Sequence, residues 1–310
     1  MEPMRLRPMQ PEERSEVGEL IYVSLNYYYG VHGMPNRLTA GPGSTEVFYD
    51  VYEALDPGCN VVAVNERTGR LMGSCFYHPR PHHVTLGILN VHPNYFERGV
   101  ARAMVAHVID YTESHGLASL RLVQSALNLD SYSLYTRMGF VPRAAYQDML
   151  LNVPRSGLEA KVPGEEHVRP ATPDDVAAMA SLEMDVSGIT REKDYGYLIQ
   201  NEAGIWDSLV LEEPGGAIEG FLFSVKQAAF SMLGPVVART QAQAEALIAR
   251  GLDRFRGSGV VLVVPVECDE LVARLYRWGA RNCELHFCQV RGPFQPFRGV
   301  SMPTYLPETG

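Results

Sequence analysis

The order of apolar and polar positions in the first half of the chain predicts a strand, a loop and a helix in succession. Residues 86–91 form an apolar run with the length of a buried strand, and Pro93 ends it because proline cannot donate to a strand ladder. From Val100 onward the apolar residues recur at helical spacing. The connecting loop therefore spans residues 92–99.

Gly99 stands where this loop becomes the helix, a position that suits an anion. A glycine lets a ligand approach the backbone closely, and the unpaired N–H groups of a first helical turn favour negative charge together with the helix dipole. Arg98 and Arg102 flank the glycine with positive charge. The simpler interpretation is an ordinary strand-to-helix turn with two solvated arginines. The sequence further downstream favours the anion site.

A second apolar strand, residues 119–123, is followed by a short helix that Asn128 or Ser131 can cap and Gly139 can end. The order and spacing of four motifs resemble those of the GNAT superfamily of acyl-CoA-dependent N-acyltransferases: Val91-x-Pro93, Arg98-Gly99-x-Ala101, Asn128, and Leu134-Tyr135-x-x-Met138-Gly139-Phe140. The family commonly has Gln or Arg at the first position of its pyrophosphate loop, where this chain has Phe96. That change removes one polar contact to the cofactor and leaves the backbone donors.

The resemblance implies that acetyl-CoA is the cofactor. In the family the strand that corresponds to residues 86–91 splays away from its neighbour, and its backbone groups hold the pantetheine arm. The implied cofactor contacts are Leu89, Asn90 and Val91 on that strand, Glu97, Arg98, Gly99, Val100, Ala101 and Arg102 around the pyrophosphate, and Asn128 and Ser131 beside the arm.

The implied reaction is transfer of an acetyl group to an amine by direct attack through a tetrahedral intermediate. Tyr135 matches the family's general acid, and its phenol is a donor at neutral pH. A helix tyrosine that only packs on the sheet is the structural alternative. His92 is the candidate base because it is nearest in sequence to the reacting centre, but a surface histidine or a water chain fits equally well. A non-catalytic acyl-CoA sensor or scaffold is the alternative function, which Phe96 favours.

Residues 26–44 are aromatic, rich in glycine and without a period, which is typical of a binding loop or lid. In the family this region helps form the acceptor site. The resemblance therefore implies that Tyr27, Tyr28, Tyr29 and His32 contact a small-molecule or peptide amine. Tyrosines that only cover the edge of the core are an equally good interpretation.

The order of elements repeats in the second half, where residues 167–175 mirror residues 5–13. We predict a catalytic GNAT-like domain over 1–152, a polar linker over 153–166 and a degenerate GNAT-like domain over 167–310. The predicted fold class is α/β (α+β), with a mixed, mainly antiparallel sheet flanked by helices in each unit. The hairpin turn at Thr68-Gly69 argues against a parallel mononucleotide-binding sheet.

The second unit lacks the residues that carry the chemistry. Its counterpart of the pyrophosphate loop, residues 238–241, contains no glycine. Tyr276 lies three residues before Gly279, whereas Tyr135 lies four before Gly139. One helical residue is about 100° of rotation, so Tyr276 should point in a different direction from Tyr135.

Composition excludes several partners. The net charge of −9 argues against nucleic acid, since phosphate contacts need clustered Lys and Arg. No apolar run has the length of a membrane span or a signal peptide, so we expect a cytoplasmic protein without membrane contact. Five scattered cysteines predict reduced thiols, and the prolines around His78, His82 and His83 favour a solvated turn, so no metal is expected. A homodimer stays open.

Overall fold

The computed structural model describes residues 3–158 and 161–308, so residues 159 and 160 of the predicted linker lie outside the described residues, as do the two residues at each end of the chain. The first half contains six strands and four helices. They are β1 (Met4–Arg7), α1 (Arg14–Val31), α2 (Glu46–Leu55), β2 (Asn60–Asn65), β3 (Leu71–Pro79), β4 (His83–Val91), α3 (Val100–Ser114), β5 (Ser119–Ser125), α4 (Leu129–Arg137) and β6 (Val141–Asn152).

The second half repeats this order and adds a strand near the C-terminus. Its elements are β7 (Val168–Pro170), α5 (Val176–Ser187), α6 (Glu192–Gln200), β8 (Trp206–Glu212), β9 (Ile218–Lys226), β10 (Ser231–Ala238), α7 (Gln241–Leu252), β11 (Gly259–Pro265), α8 (Asp269–Arg277), β12 (Arg281–Arg291) and β13 (Val300–Met302). No helix among the described residues has both the length and the hydrophobicity of a membrane span.

One sheet runs through both halves in the order β1-β2-β3-β4-β5-β12-β6-β11-β10-β9-β8-β7, with β13 beside β10. Only β4–β5 and β10–β11 pair in parallel within the described chain. The predicted fold class, a mixed and mainly antiparallel sheet flanked by helices, is confirmed. The last strands of the two halves are exchanged, because β12 lies between β5 and β6 and β6 pairs with β11.

The helices divide the core into three parts. On one face of the sheet α1 and α2 of the first half share a single apolar cluster with α5 and α6 of the second half. Phe48 of α2 stacks on Phe230 of the second half, with ring centroids 5.7 Å apart. On the other face α3 and α4 cover the first half, and α7 and α8 cover the second. The two halves are therefore joined by apolar packing as well as by the exchanged strands.

A buried ionic cluster at the end of α2 also links the halves. The Asp56 carboxylate accepts from Arg80 Nη1 at 2.9 Å and from His78 Nδ1 at 2.8 Å, while Lys193 Nζ of α6 lies 2.8 Å away. Arg80 also contacts the carboxylate of Asp194. Burial alone raises the pKa of Asp56, but the hydrogen bond from His78 and the charge of Arg80 outweigh it and hold that pKa below its usual range.

The predicted solvated histidine turn is wrong for two of its three residues. His78 lies in β3 and His83 in β4, and both are buried, whereas His82 in the turn is exposed. β3 extends as far as Pro79 because its backbone pairs with β4 up to that residue, and β4 begins at His83, which pairs with Ser119 of β5. Burial lowers the pKa of His83 well below its usual value, and the charge of Arg121 lowers it further. Neither ring nitrogen has a hydrogen-bond partner in the described structure.

We expect Asp56→Asn to lower the free energy of unfolding by about 3–5 kcal/mol at neutral pH, because it removes the buried carboxylate that His78, Arg80 and Lys193 share and leaves Arg80 with Asp194 alone. The lowered pKa of Asp56 contributes stability above the ordinary value of about 4, which is lost as pH falls below it. The difference between variant and wild type should therefore shrink on acidification. Urea unfolding across pH measures both effects.

Asp50→Asn is the matched control, because Asp50 lies on the same helix and pairs with Arg14 in an exposed position. It should change stability by less than about 1 kcal/mol. Equal losses in the two variants would contradict the role given to the buried cluster.

Candidate active site

A V-shaped opening separates β4 from β5. The strands pair in parallel only where His83–Thr85 meets Ser119–Arg121. Beyond that point a bulge opposite Phe76 inserts an extra residue at Gly87 and Ile88, and it turns β4 aside. The edge of residues 86–91 that faces β5 has no strand partner among the described residues. Its backbone groups are therefore available to a ligand.

The three cofactor residues predicted on β4 lie along this unpaired edge. Leu89 and Val91 pack against the apolar cluster under α3. Asn90 points to the opposite face, where its Oδ1 accepts a hydrogen bond from Ser24 Oγ of α1 at 3.0 Å. Along the opening, the face of β4 toward α3 is therefore apolar, and the face toward α1 is polar.

Two residues of the loop after β4 have a left-handed backbone conformation. Glu97 has φ 60° and Gly99 has φ 81°, and this region is uncommon for a residue other than glycine. Ala103 N donates to Gly99 O at 3.0 Å, so the N–H groups of residues 100–102 precede the first bond of α3. A Cβ at Gly99 would meet nothing within 4 Å, which leaves room beside these donors.

The predicted basic and acidic members of this loop are solvent-facing. Glu97, Arg98 and Arg102 are exposed, and the Arg98 guanidinium lies 5.8 Å from the centre of the Tyr95 ring. Val100 is buried at the start of α3, and Ala101 is half-buried. Phe96, the residue that departs from the family pattern, is exposed, and its ring lies 5.7 Å from that of Tyr27.

Tyr135 lies on α4 and on the same side of the sheet as the start of α3. Its side chain is 7% exposed and packs in one cluster with Val100, Leu89 and Phe140. Burial raises the pKa of Tyr135 well above its usual value, and the Cys75 thiol adds a smaller effect. Cys75 is the register partner of Leu89, and Leu89 belongs to the same apolar cluster as Tyr135. The raised pKa keeps the phenol protonated.

The N-terminus of α4 is capped as predicted. Asn128 Oδ1 accepts from Ser131 N at 3.0 Å. Both residues lie at the end of the loop that follows β5, close to the open end of the V. The oxygen of the Asn128 side chain is therefore used by the helix.

His92 lies on the α1 side of β4, whereas Tyr135 lies on the α3 side. The backbone N–H of Asn94 donates to His92 Nδ1 at 3.2 Å. The imidazole lines a cavity of about 190 Å³ together with Glu16, Glu19 and Arg70. The structure does not bring this histidine and the tyrosine together on one face.

The predicted acceptor loop begins later than expected, because α1 continues to Val31. The three tyrosines are therefore helical. Tyr27 is exposed, Tyr28 Oη lies 3.5 Å from Ser125 Oγ, and Tyr29 Oη donates to Glu284 Oε2 at 3.1 Å. His32 follows the helix, with its ring 4.4 Å from that of Tyr28. Burial raises the pKa values of Tyr28 and Tyr29.

Sequence reasoning missed a polar group that β12 and β6 bring beside these tyrosines. Glu284 on β12 and Asp148 on β6 are register partners, and His286 Nδ1 lies 2.8 Å from Asp148 Oδ1. Arg37 Nη2 lies 3.2 Å from Glu284 Oε2. The only signal in the sequence is the alternation Glu284-Leu285-His286, which places two polar side chains on one face of a strand.

The second half contains the same V but fills it. The parallel pairing of β10 with β11 stops at Leu233, and β13 then pairs with the rest of β10 from Val236 to Ala238. At the helix N-termini, Leu271 N donates to Gln241 Oε1 at 2.9 Å, so a side chain bridges α7 and α8. Tyr276 is 48% exposed and turns away, as predicted.

Two family models match this chain. The model described as Acetyltransferase (GNAT) family matches residues 31–140, and the one described as Acetyltransferase (GNAT) domain matches residues 179–289. The matched regions correspond to the two repeats of the sheet and its helices.

Solved structures and one curated protein resemble the chain. A candidate acetyltransferase from Pyrococcus horikoshii has a TM-score of 0.74 at 14% identity, covering 99% of this chain and 96% of that chain. A tandem GNAT protein from the clavulanic acid biosynthesis pathway has a TM-score of 0.61 at 16% identity, covering 94% and 99%. The UPF0157 protein YqkA of Bacillus subtilis is 34% identical over 90 residues, which are 28% of this chain and 26% of that protein.

Proposed function

Since the chain is a tandem member of the GNAT acetyltransferase family, we propose that its first half transfers an acetyl group from acetyl-CoA to the nitrogen of an amine. The observation that carries this proposal is the contrast between the two openings of the sheet. The first is open beside Gly99 and Tyr135, whereas β13 fills the second. The second half is accordingly proposed to be non-catalytic.

The residues of the first opening fit a long anionic thioester. The edge of residues 86–91 offers backbone donors and acceptors to the amide groups of a pantetheine arm, through Leu89, Asn90 and Val91. The turn from Glu97 to Arg102 offers the N–H groups of α3 and two arginine charges to a diphosphate. Asn128 and Ser131 lie where the arm would pass α4.

Acetyl-CoA supplies an activated acetyl group, and the side chains move the protons. A backbone N–H of the β4 edge donates to the carbonyl oxygen as negative charge develops there. The amine nitrogen would form the C–N bond first, which gives the tetrahedral intermediate, and Tyr135 would then give its proton to the sulfur as the C–S bond breaks. His92 accepts the proton that the amine loses, from the α1 side. The raised pKa of Tyr135 keeps this acid protonated over the working range of an amine nucleophile.

Tyr27, Tyr28, Tyr29 and His32 are proposed to line the acceptor side, with a small-molecule or peptide amine as the acceptor. They lie across β4 from the α3 face, so the amine and the cofactor would approach the carbonyl from opposite sides. The charge of −9 makes nucleic acid an unsuitable partner.

A non-catalytic acyl-CoA sensor is the second candidate, because Phe96 replaces a polar residue of the pyrophosphate loop. Incubation with acetyl-CoA and a panel of amines, followed by measurement of thiol release, separates the two candidates. We expect release that depends on one class of amine. Binding of acetyl-CoA without any release would favour the sensor.

We expect Tyr135→Phe to lower kcat by about 100-fold or more, because the leaving sulfur loses its acid, while the affinity for acetyl-CoA stays near wild type. Steady-state kinetics and calorimetry measure the two quantities. Tyr276→Phe is the matched control, since Tyr276 stands on the corresponding helix of the second half and faces solvent. Unchanged kcat in Tyr135→Phe would show that another group protonates the sulfur.

We expect Gly99→Glu to weaken acetyl-CoA binding by about tenfold or more, because the new carboxylate would face the diphosphate at close range. Gly116→Glu is the matched control. Gly116 ends the same helix, has φ 66° and is equally open, so it bears the same backbone cost without facing the loop. Calorimetric affinities that fall equally in both variants would place the diphosphate elsewhere.

A further inference from the structure

The exchanged strand β12 places a carboxylate of the second half, Glu284, at the end of β5, which is one wall of the first half's opening. The Glu284 side chain is only 1% exposed. It accepts hydrogen bonds from Tyr29 Oη and from Ser125 Oγ, the residue at the end of β5, and it pairs with the Arg37 guanidinium. A buried carboxylate of this kind is stable only with positive charge or several donors around it.

The opposite wall supplies a buried donor without a partner. Asn90 is 5% exposed and faces α1, and its Nδ2 has no hydrogen-bond partner within the described structure. Asn90 on β4 and Ser125 on β5 both lie beyond the residues at which these two strands pair. Two residues from successive turns of α1 contact them: Ser24 contacts Asn90, and Tyr28 contacts Ser125. On the α1 side, the V therefore has the unpaired Asn90 amide group on one wall and the Glu284 carboxylate at the end of the other.

A buried hydroxyl without a partner lies next to Glu284 and His286. Tyr305 Oη has no hydrogen-bond partner among the described residues, and the Tyr305 ring lies 5.4 Å from that of His286. The side of the sheet that α1 covers thus holds two unsatisfied polar groups, and the Tyr305 hydroxyl is the one beside His286. Unsatisfied buried groups in a native structure call for a ligand or a function.

We propose that Glu284 binds the cationic amine of the acceptor, and that the Arg37 guanidinium occupies this position when no acceptor is bound. The inference rests on the proposed function. Arg37 belongs to the segment that joins α1 to α2, and it stacks on Tyr29 at 4.8 Å from the ring centre, so it marks a place that accepts a cation next to an aromatic face.

This arrangement defines a class of acceptor. An ammonium group attached to an apolar or aromatic body matches the carboxylate and the tyrosines around it, whereas a carboxylate or phosphate next to the nitrogen would meet the charge of Glu284. The amine still has to lose one proton before its nitrogen attacks, and His92 or solvent takes it. Glu284 therefore acts as a specificity-determining residue.

A metal ion is the competing ligand, because ligand atoms of Asp148, Glu284 and His286 all lie within 4.8 Å of one another. A metal would also need Asp148 and His286, but His286 Nδ1 and Asp148 Oδ1 contact each other at 2.8 Å, so two of the three side chains are already engaged with one another. We therefore favour the organic cation. Treatment with EDTA should leave amine binding unchanged, and its loss would overturn the inference in favour of the metal.

The test is calorimetric titration of phenethylamine, n-butylamine and tetra-alanine into the full-length protein saturated with coenzyme A, which prevents turnover. We expect at least one of these amines to bind, and Glu284→Gln to weaken that binding by about tenfold or more. Glu245→Gln is the matched control, since Glu245 pairs with Arg274 between α7 and α8, and it should change the affinity by less than about twofold.

Arg37→Gln provides an independent arm that does not depend on the folding of the Glu284 variant. Removal of the competing cation should tighten amine binding several-fold, and unchanged or weaker binding would overturn the inference.

Coenzyme A affinity, measured without amine, separates two kinds of failure. Absence of coenzyme A binding to the wild type refutes the proposed function itself. Coenzyme A binding together with equal amine affinities in wild type and Glu284→Gln refutes only the role of Glu284, as does the absence of binding by all three amines.

Discussion

The rest of this structure depends on one constraint, the hydrogen bonding of the backbone groups that β4 exposes where it separates from β5. Buried backbone N–H and C=O groups have to be hydrogen-bonded, and β4 and β5 meet that requirement with each other over three residue pairs only. The bulge at Gly87 and Ile88 turns the remainder of β4 aside. The backbone groups on the side of residues 86–91 that faces β5 have no strand partner in the described part of the chain, and the loop at Gly99 follows the same strand.

The duplicated half meets the same demand from within the chain. β10 also leaves its parallel neighbour after Leu233, and β13 takes the vacant edge with a regular antiparallel register. The side chain of Gln241 joins the two helix N-termini that would otherwise surround an anion. The second half thus differs from the first in two related ways: it lacks a counterpart of Gly99, and the edge of β10 that corresponds to the open edge of β4 is paired with β13.

Local features of the fold were predictable because they depend on residues a few positions apart. The helix from Val100, the cap at Asn128, and the different directions of Tyr135 and Tyr276 all follow from spacing and short-range hydrogen bonding. The continuation of α1 through its tyrosines was missed. Contacts of Tyr28 and Tyr29 with β5 and β12 favour the helix there, and no local pattern contains them.

The pairing of strands far apart in the chain could not be predicted from the sequence. Residues 281–291 have the pattern of a closing strand whichever half they complete, so nothing local shows that β12 enters the first half. Without that pairing Glu284 and His286 are two polar residues of a remote strand. The burial of His78 could not be predicted for the same reason, since its hydrogen-bond partner Asp56 is the residue that follows α2.

The position of β12 has a consequence for the order in which the protein is made. Domains generally fold as they emerge from the ribosome, N-terminal parts first. Here β5 and β6 emerge early, yet the strand that separates them is translated almost last. A nascent or prematurely terminated chain therefore displays every sequence motif of the first half while its sheet is still open, and the finished cleft exists only once nearly the whole polypeptide has been synthesised.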